Sequence, residues 1–221
     1  FAEDTRIRSI VEKHSRYVGY PIQLGGEQIN EPQALWSRSA SEIQEEEYQN
    51  FYRQLTHDWQ DPQFWMHHSA EAPFQYHSLL YVPSQRPTDL DWTDGKRILK
   101  LYTKRVLILE EAKELLPPYL RFIRGVIDSE DIRLNASREM IQKTPTVDKI
   151  SQQITRKVLK ELRACAEESP EKYSEIWNCF GSTLKEGIYG DQKNHKHLIP
   201  LLRFDSTRAG DEAGQISLQD Y

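Results

Sequence analysis

The residues best suited to chemistry lie in one polar stretch, Asp128 to Gln142, which reads DSEDIRLNASREMIQ. Asn135 or Ser137 can cap a helix that follows, and this would place Arg138 in the first helical turn. The helix dipole disfavours a cation in that turn. A local rule broken in this way sometimes marks a functional position, so this stretch is the first candidate site.

Arg138 and Gln142 have side chains that suit phosphoryl transfer. An arginine supplies a fixed planar charge for a transferring phosphoryl group, and a glutamine can orient a water molecule. The alternative is structural, because Arg138 could form a surface salt bridge with Glu139 or Asp131. Composition alone favours the structural interpretation.

The histidines and cysteines are the candidate metal ligands and nucleophiles. His67 and His68 are adjacent, so on a strand they point to opposite faces, although one of them could pair with His77 across a hairpin. Zinc needs three or four ligands, and no further partner follows at a recognised spacing. The sequence therefore predicts ordinary strand histidines and no metal. Cys165 and Cys179 fall on apolar helical stripes, where packing is the expected role.

Composition argues against several classes of protein. The chain has 221 residues, with 29 Lys+Arg against 34 Asp+Glu and a net charge of −5, which disfavours a nucleic-acid binder. Aromatic residues make up 10% of the chain, too many for a disordered segment. No apolar run approaches the ~18–20 residues of a membrane helix. The opening residues contain neither an initiator Met nor a signal peptide, so we expect a piece of a longer protein. Two cysteines do not make a disulfide scaffold, so free thiols in a reducing compartment are expected.

The apolar spacing predicts a mixed α/β chain that becomes helical after residue 145. The Gly25-Gly26 pair predicts a hairpin turn, and it lacks the remaining residues of a phosphate-binding loop, so the segment is not expected to bind a nucleotide by itself. Helices are predicted over 7–14, 48–55, 115–125, 147–165, 173–180 and 196–204, and strands over 64–82 (with a connection at Ala72-Pro73), 98–109 and 126–127. This order is typical of an α/β domain followed by a smaller helical or α/β unit.

A longer pattern carries a resemblance. The segment LRFIRGVIDSEDIRLNASREMIQ resembles the signature of the middle domain of the ninety-kilodalton heat-shock protein chaperone family. Further motifs match that family in order across essentially the whole chain: ALWSRSASEI, EEYQNFYRQLTHDWQDP, SLLYVPSQRPTDL, KLYTKRVLI, YLRFIRG, LKEGIYGD and LLRFDST. The motif VPSQRP resembles the bacterial branch, whereas LGGEQIN is also similar to the mitochondrial relative.

The resemblance implies an architecture and a set of partners. It implies an α/β fold, with a large unit like a ribosomal S5 domain over 1–145, a helical connector over 146–168 and a small α/β/α unit over 169–221. It also implies a cytoplasmic, ATP-dependent, homodimeric chaperone that binds client proteins and contacts its own N-terminal and C-terminal domains, with no nucleic-acid or membrane partner. ATP and Mg would be bound mainly by the N-terminal domain and not by this chain alone.

The resemblance also assigns roles to single residues. The family's catalytic-loop arginine falls on Arg138, where it would contact the γ-phosphate of ATP held by the N-terminal domain. The companion glutamine falls on Gln142, and Asn135 lies in the same segment. The full-length protein is therefore expected to be a slow ATPase and this chain alone to be inactive. The family's exposed, client-contacting tryptophan falls on Trp36, for which the alternative is a half-buried residue that closes the hairpin.

Two departures from the family pattern keep other hypotheses open. Arg133 stands where the family usually has Pro, and Ala136 replaces a larger aliphatic residue. Arg133 is the one hint of a protein-binding scaffold whose loop does not support hydrolysis. A third hypothesis is the S5-like transducer domain of a related DNA-repair or topoisomerase ATPase. The acidic composition and the ordered motifs argue against that third hypothesis.

Overall fold

A five-stranded mixed sheet forms the centre of this computed structural model, which describes residues 3–88, 90–91, 97–132, 144–206 and 215–218. The strands are β1 (Gln23–Leu24), β2 (Glu27–Gln28), β3 (Pro62–Ala70), β4 (Tyr76–Pro83), β5 (Leu99–Thr103), β6 (Val106–Leu109), β7 (Arg124–Ser129), β8 (Phe204–Asp205) and β9 (Gln215–Ile216). The large sheet has the order β3-β4-β7-β5-β6. Its neighbouring strands are antiparallel except for the parallel pair β5 and β7. The α/β fold class is therefore confirmed.

Helices cover both faces of this sheet. They are α1 (Asp4–Ile10), which continues as a π-helical turn over Val11–Ser15, α2 (Glu45–Thr56), α3 (Pro145–Glu168), α4 (Pro170–Gly190) and α5 (His195–Leu198). Among the described residues, no helix is long and apolar enough to cross a membrane. The predicted hairpin is confirmed as the antiparallel pair β1 and β2.

The sequence explains where the long helices begin and which faces they bury. Thr144 caps α3, since its hydroxyl oxygen accepts a hydrogen bond from the Val147 backbone N–H at 3.3 Å. Pro145 takes the first helical position, where a missing N–H costs nothing. The six residues of the predicted apolar stripe are all buried, as expected: Val147, Ile150, Ile154, Val158, Leu162 and Cys165.

The sheet separates two apolar clusters, because alternate residues of a strand point to opposite faces. One cluster lies between the sheet and helices α3 and α4, and it extends to Leu202. The other packs the opposite face against α2 and the residues around Trp36. Helices α3 and α4 thus share a hydrophobic core with the sheet. The predicted divisions at 145/146 and 168/169 stay predictions.

Two of the predicted elements take another form. The single strand expected over 98–109 is a hairpin, because the chain turns at Lys104 and Arg105, whose φ angles of 52° and 63° are left-handed. Such a turn usually contains Gly or Asn, so two basic residues gave no signal for it. The helix expected over 115–125 is wrong. Short 3-10 turns lead instead into β7, where a side chain on Gly125 would meet the Leu79 carbonyl oxygen at 2.3 Å.

Candidate functional site

The predicted catalytic residues Asn135, Arg138 and Gln142 lie outside the described residues, as do Arg133 and Ala136. Along the chain they stand between β7 and α3. The described residues that flank them are Ile132, which is buried, and Thr144, which caps α3. Both flanks therefore belong to ordered, packed parts of the fold.

Asp128, near the end of β7, is the centre of a buried polar cluster. Its Oδ2 accepts a hydrogen bond from the indole Nε1–H of Trp36 at 3.1 Å and another from the backbone N–H of Arg105 at 3.0 Å. Burial raises the pKa of the Asp128 carboxyl group above its usual value, while these two hydrogen bonds favour the charged form and oppose that shift. The cluster fixes the strand that leads into the candidate catalytic segment.

Trp36 is fully buried, with 0% of its surface exposed. Its ring packs against those of Tyr17, Phe51 and Tyr102, at centroid distances of 4.8, 5.7 and 4.7 Å. The indole fits this site because its apolar body meets other rings while its N–H reaches Asp128. The expectation that Trp36 is exposed is therefore wrong, and the predicted client contact loses the free surface that it requires.

A cleft of about 620 Å³ opens beside this cluster, lined in part by Tyr20, His77 and Asp128. Its charged groups are engaged with neighbouring groups. Lys104 lies 3.3 Å from the carboxylate of Glu130. The Arg105 guanidinium donates to the Pro32 carbonyl oxygen at 3.1 Å. The Arg105 contact ties the β5–β6 turn to the N-terminal segment, and the Lys104 contact ties it to the residue that follows β7. Both contacts have a structural role.

His67 and His68 point to opposite faces of β3, as predicted. Both nitrogens of His67 are used: Nε2 donates to the Trp36 carbonyl oxygen at 3.1 Å, and Nδ1 accepts from the Tyr48 hydroxyl at 2.8 Å. A carbonyl can only accept, so Nε2 carries a proton. Burial lowers the pKa of His67, which favours the neutral Nε2–H tautomer. His77 lies opposite Ser69 rather than opposite either histidine. Within the described ranges, no group of three potential ligands could hold a metal ion.

His68 should make the stability of the chain depend on pH. The pKa of His68 is lowered to about 4, mainly by burial and then by the charge of Lys157, whereas Glu161 opposes the shift. The unfolded chain, in which a histidine has a pKa of about 6.5, then binds more protons than the folded chain between pH 6.5 and 4. This contribution to stability is present above pH 6.5 and is lost as the pH falls. We expect the melting temperature of His68→Gln to fall less over this range than that of the wild type.

Thermal melts at intervals between pH 7 and pH 4 check this expectation. His14→Gln is the matched control, since His14 is exposed, and its melting curve should follow that of the wild type. Equal losses in the wild type and in His68→Gln would show that His68 does not carry the effect.

Sequence reasoning missed the large aromatic side chains that are exposed. Trp59 follows the end of α2 and is 92% exposed, and Tyr20 and Tyr189 are 79% and 95% exposed. None of them belongs to an apolar stripe, so spacing gave no signal for them. Single exposed aromatic residues are common on protein surfaces, and these three do not by themselves define a site.

Comparison with known proteins identifies the family of this chain. The family described as Hsp90 protein matches residues 25–221. The chain therefore belongs to the Hsp90 family, and the resemblance found in its sequence motifs is confirmed.

Its relatives include the chaperone protein HtpG of Salmonella typhi, of Shigella dysenteriae serotype 1 and of Escherichia coli O9:H4. Each is 42% identical over 233 residues, an alignment that covers 100% of this chain and 37% of the relative. The chain thus spans little more than a third of the length of these curated relatives.

Proposed function

We propose that this chain is the middle domain of an ATP-dependent, homodimeric molecular chaperone of the cytoplasm. The observation that carries the proposal is the match of the whole chain to 37% of proteins described as HtpG chaperones. Family membership supports a chaperone role. Its expected partners are client proteins and the N-terminal and C-terminal domains of the same protein.

The candidate catalytic segment is proposed to complete the ATPase site. Arg138 and the amide side chains of Asn135 and Gln142 offer N–H donors, the groups that bind phosphate oxygens. Arg138 would stabilise negative charge on the γ-phosphoryl group, and Gln142 would orient water. ATP and Mg would be held mainly by the N-terminal domain, so this site forms only when that domain meets the segment.

The 221-residue chain alone should not bind or hydrolyse ATP measurably. The sequence between Val126 and Thr144 contains no glycine, so α3 is not preceded by the glycine-rich loop that brings backbone N–H groups to a phosphate. Titration calorimetry with Mg-ATP should give no binding heat with this chain, whereas the full-length protein should bind ATP. Micromolar binding to the chain alone would contradict the assignment of roles.

A protein-binding scaffold without hydrolysis is the second candidate function. The substitution that favours it is Arg133, which stands where the family usually has Pro. ATP turnover by the full-length protein separates the two candidates, because a scaffold would bind unfolded clients without any hydrolysis linked to Arg138. The third hypothesis, a domain of a DNA-processing ATPase, predicts salt-dependent DNA binding by this chain.

A further inference from the structure

A groove of about 710 Å³ lies between β3 and α3, on the side of the sheet that faces the long helices. Its floor is apolar and is formed by Ala70, Tyr76, Leu159 and Ala164. Tyr76 and Leu159 belong to the main core, so the floor is held rigidly. The groove is therefore a stable surface feature.

The rim of the groove is basic. Four cations line it against the single carboxylate of Glu167, in a chain whose overall net charge is −5. These cations are Arg156, Lys157, Lys160 and Arg163, which recur along α3 at helical spacing. A concentration of positive charge on an acidic protein is a local feature that favours an anionic partner.

Two of the four cations are paired within the chain, and the other two are available to a partner. The paired cations are Lys157 and Arg163, each of which forms an ion pair with a glutamate one helical turn later, at 3.1 Å and 2.7 Å. Arg156 and Lys160 are exposed, and neither makes an ion pair with another residue in the described part of the chain. His197 from α5 also lines the groove. Burial lowers the pKa of His197, and Lys196, Arg156 and Arg163 lower it further, in keeping with a positive potential.

The groove lies beside an edge strand, the kind of element to which an extended segment can add. Strand β3 is the edge strand of the sheet, and no described strand pairs with its outer side. The exposed Ser69 also lines the groove, although it points to the opposite face from His68, so the groove reaches this edge. An edge strand presents backbone N–H and C=O groups that can bond to an added extended segment.

We propose that the groove between β3 and α3 binds an extended acidic polypeptide segment of a partner protein. Acidic side chains of the segment contact Arg156 and Lys160, and its small apolar side chains lie on the floor at Ala70 and Ala164. The apolar floor and the acidic charge of the whole chain favour a polypeptide over a nucleic acid. This binding surface is distinct from the ATPase role, and it requires neither Arg138 nor ATP.

Fluorescence anisotropy with the 221-residue chain tests the proposal. The probe is a fluorescein-labelled peptide of about eight residues, a common strand length, in which glutamate alternates with alanine. The same peptide with lysine in place of glutamate is the peptide control. We expect the acidic peptide to bind and the basic peptide not to bind. Equal binding of both peptides would overturn the proposal.

Charge reversal on the rim identifies the site. Arg156→Glu/Lys160→Glu should weaken binding of the acidic peptide at least about tenfold, because two attractive contacts become repulsive. Lys149→Glu/Lys193→Glu is the matched control, since it changes the same amount of charge at exposed positions that do not line the groove. The control should change the affinity by less than about twofold. Equal effects of the two double variants would overturn the assignment to the groove.

A second variant tests the floor without changing charge. Ala164→Phe fills the groove and should also weaken binding of the acidic peptide, with circular dichroism melts showing that the variant remains folded. Unchanged affinity in a folded Ala164→Phe would remove the floor from the proposal and overturn it. Single-stranded oligothymidine and phosphatidylserine vesicles are the competitors. Tighter binding of either one than of the peptide would assign the groove to that class of anion and overturn the polypeptide proposal.

Discussion

Replacing Arg138 with alanine in the full-length protein should lower the kcat of ATP hydrolysis at least about tenfold, with ATP affinity changed much less. An arginine supplied to a phosphoryl-transfer site can be worth roughly 10³–10⁵ in rate. The expected effect is smaller because we expect conformational closure to gate turnover, which would mask part of the chemical step. A loss confined to kcat would show that Arg138 acts mainly in the transition state.

Variants of two other residues in the same segment should have smaller effects on kcat than Arg138→Ala. Gln142→Ala should lower kcat in the same direction but more weakly, because orienting water contributes less than neutralising charge. Arg133→Ala is the matched control: it removes an arginine from the same segment at a position that does not match the family's catalytic one, and most of the turnover should remain. Wild-type turnover in Arg138→Ala would lead us to abandon the catalytic role and adopt the scaffold function.

Replacing Trp36 with alanine should destabilise the chain by about 3–5 kcal/mol, the usual cost of truncating a buried large aromatic side chain. The indole is fully buried among Tyr17, Phe51 and Tyr102, so its loss leaves a cavity. It also removes one of the two hydrogen-bond donors to the buried Asp128 carboxylate. Urea unfolding followed by circular dichroism measures the change in free energy of unfolding.

Two comparison variants separate packing from surface effects. Trp36→Phe keeps most of the ring contacts and removes only the N–H donor, so it should cost less than Trp36→Ala, on the order of 1–3 kcal/mol. Trp59→Ala removes the same type of side chain from an exposed position and should stay within about 0.5 kcal/mol of the wild type. A loss in Trp36→Ala no larger than that in Trp59→Ala would place Trp36 at the surface in solution.

The elements that the sequence predicts well are those whose signals are local. Helix α3 has a continuous apolar stripe over 147–165, and it forms where this stripe places it. Strands β3 and β4 pair across the predicted connection at Ala72-Pro73. The turn at Lys104 and Arg105 was not predictable in this way. Its left-handed residues are held by distant partners, including Asp128 and the Pro32 carbonyl oxygen.

In the candidate site, too, local features can be predicted from the sequence and features that depend on distant residues cannot. The motif that contains Arg138 is contiguous, so it can be recognised from the sequence, and its catalytic role stays a prediction. The burial of Trp36 depends on Tyr17, Phe51 and Tyr102, which come from separate parts of the chain and meet only in the folded sheet. The basic rim on α3 also has helical spacing, but its significance appears only when β3 supplies the opposite wall.

The placement of two apolar clusters on opposite faces of one sheet has a consequence for truncation of the chain. The N-terminal residues through α2 cover Leu79, Tyr81 and Val126, each 0% exposed. A proteolytic cut or a cloned boundary after α2 would leave α3 and α4 in place and uncover this aromatic and aliphatic face. A contiguous apolar surface of this kind promotes self-association. Shortened versions of this protein that lack residues 1–60 should therefore be recovered as aggregates.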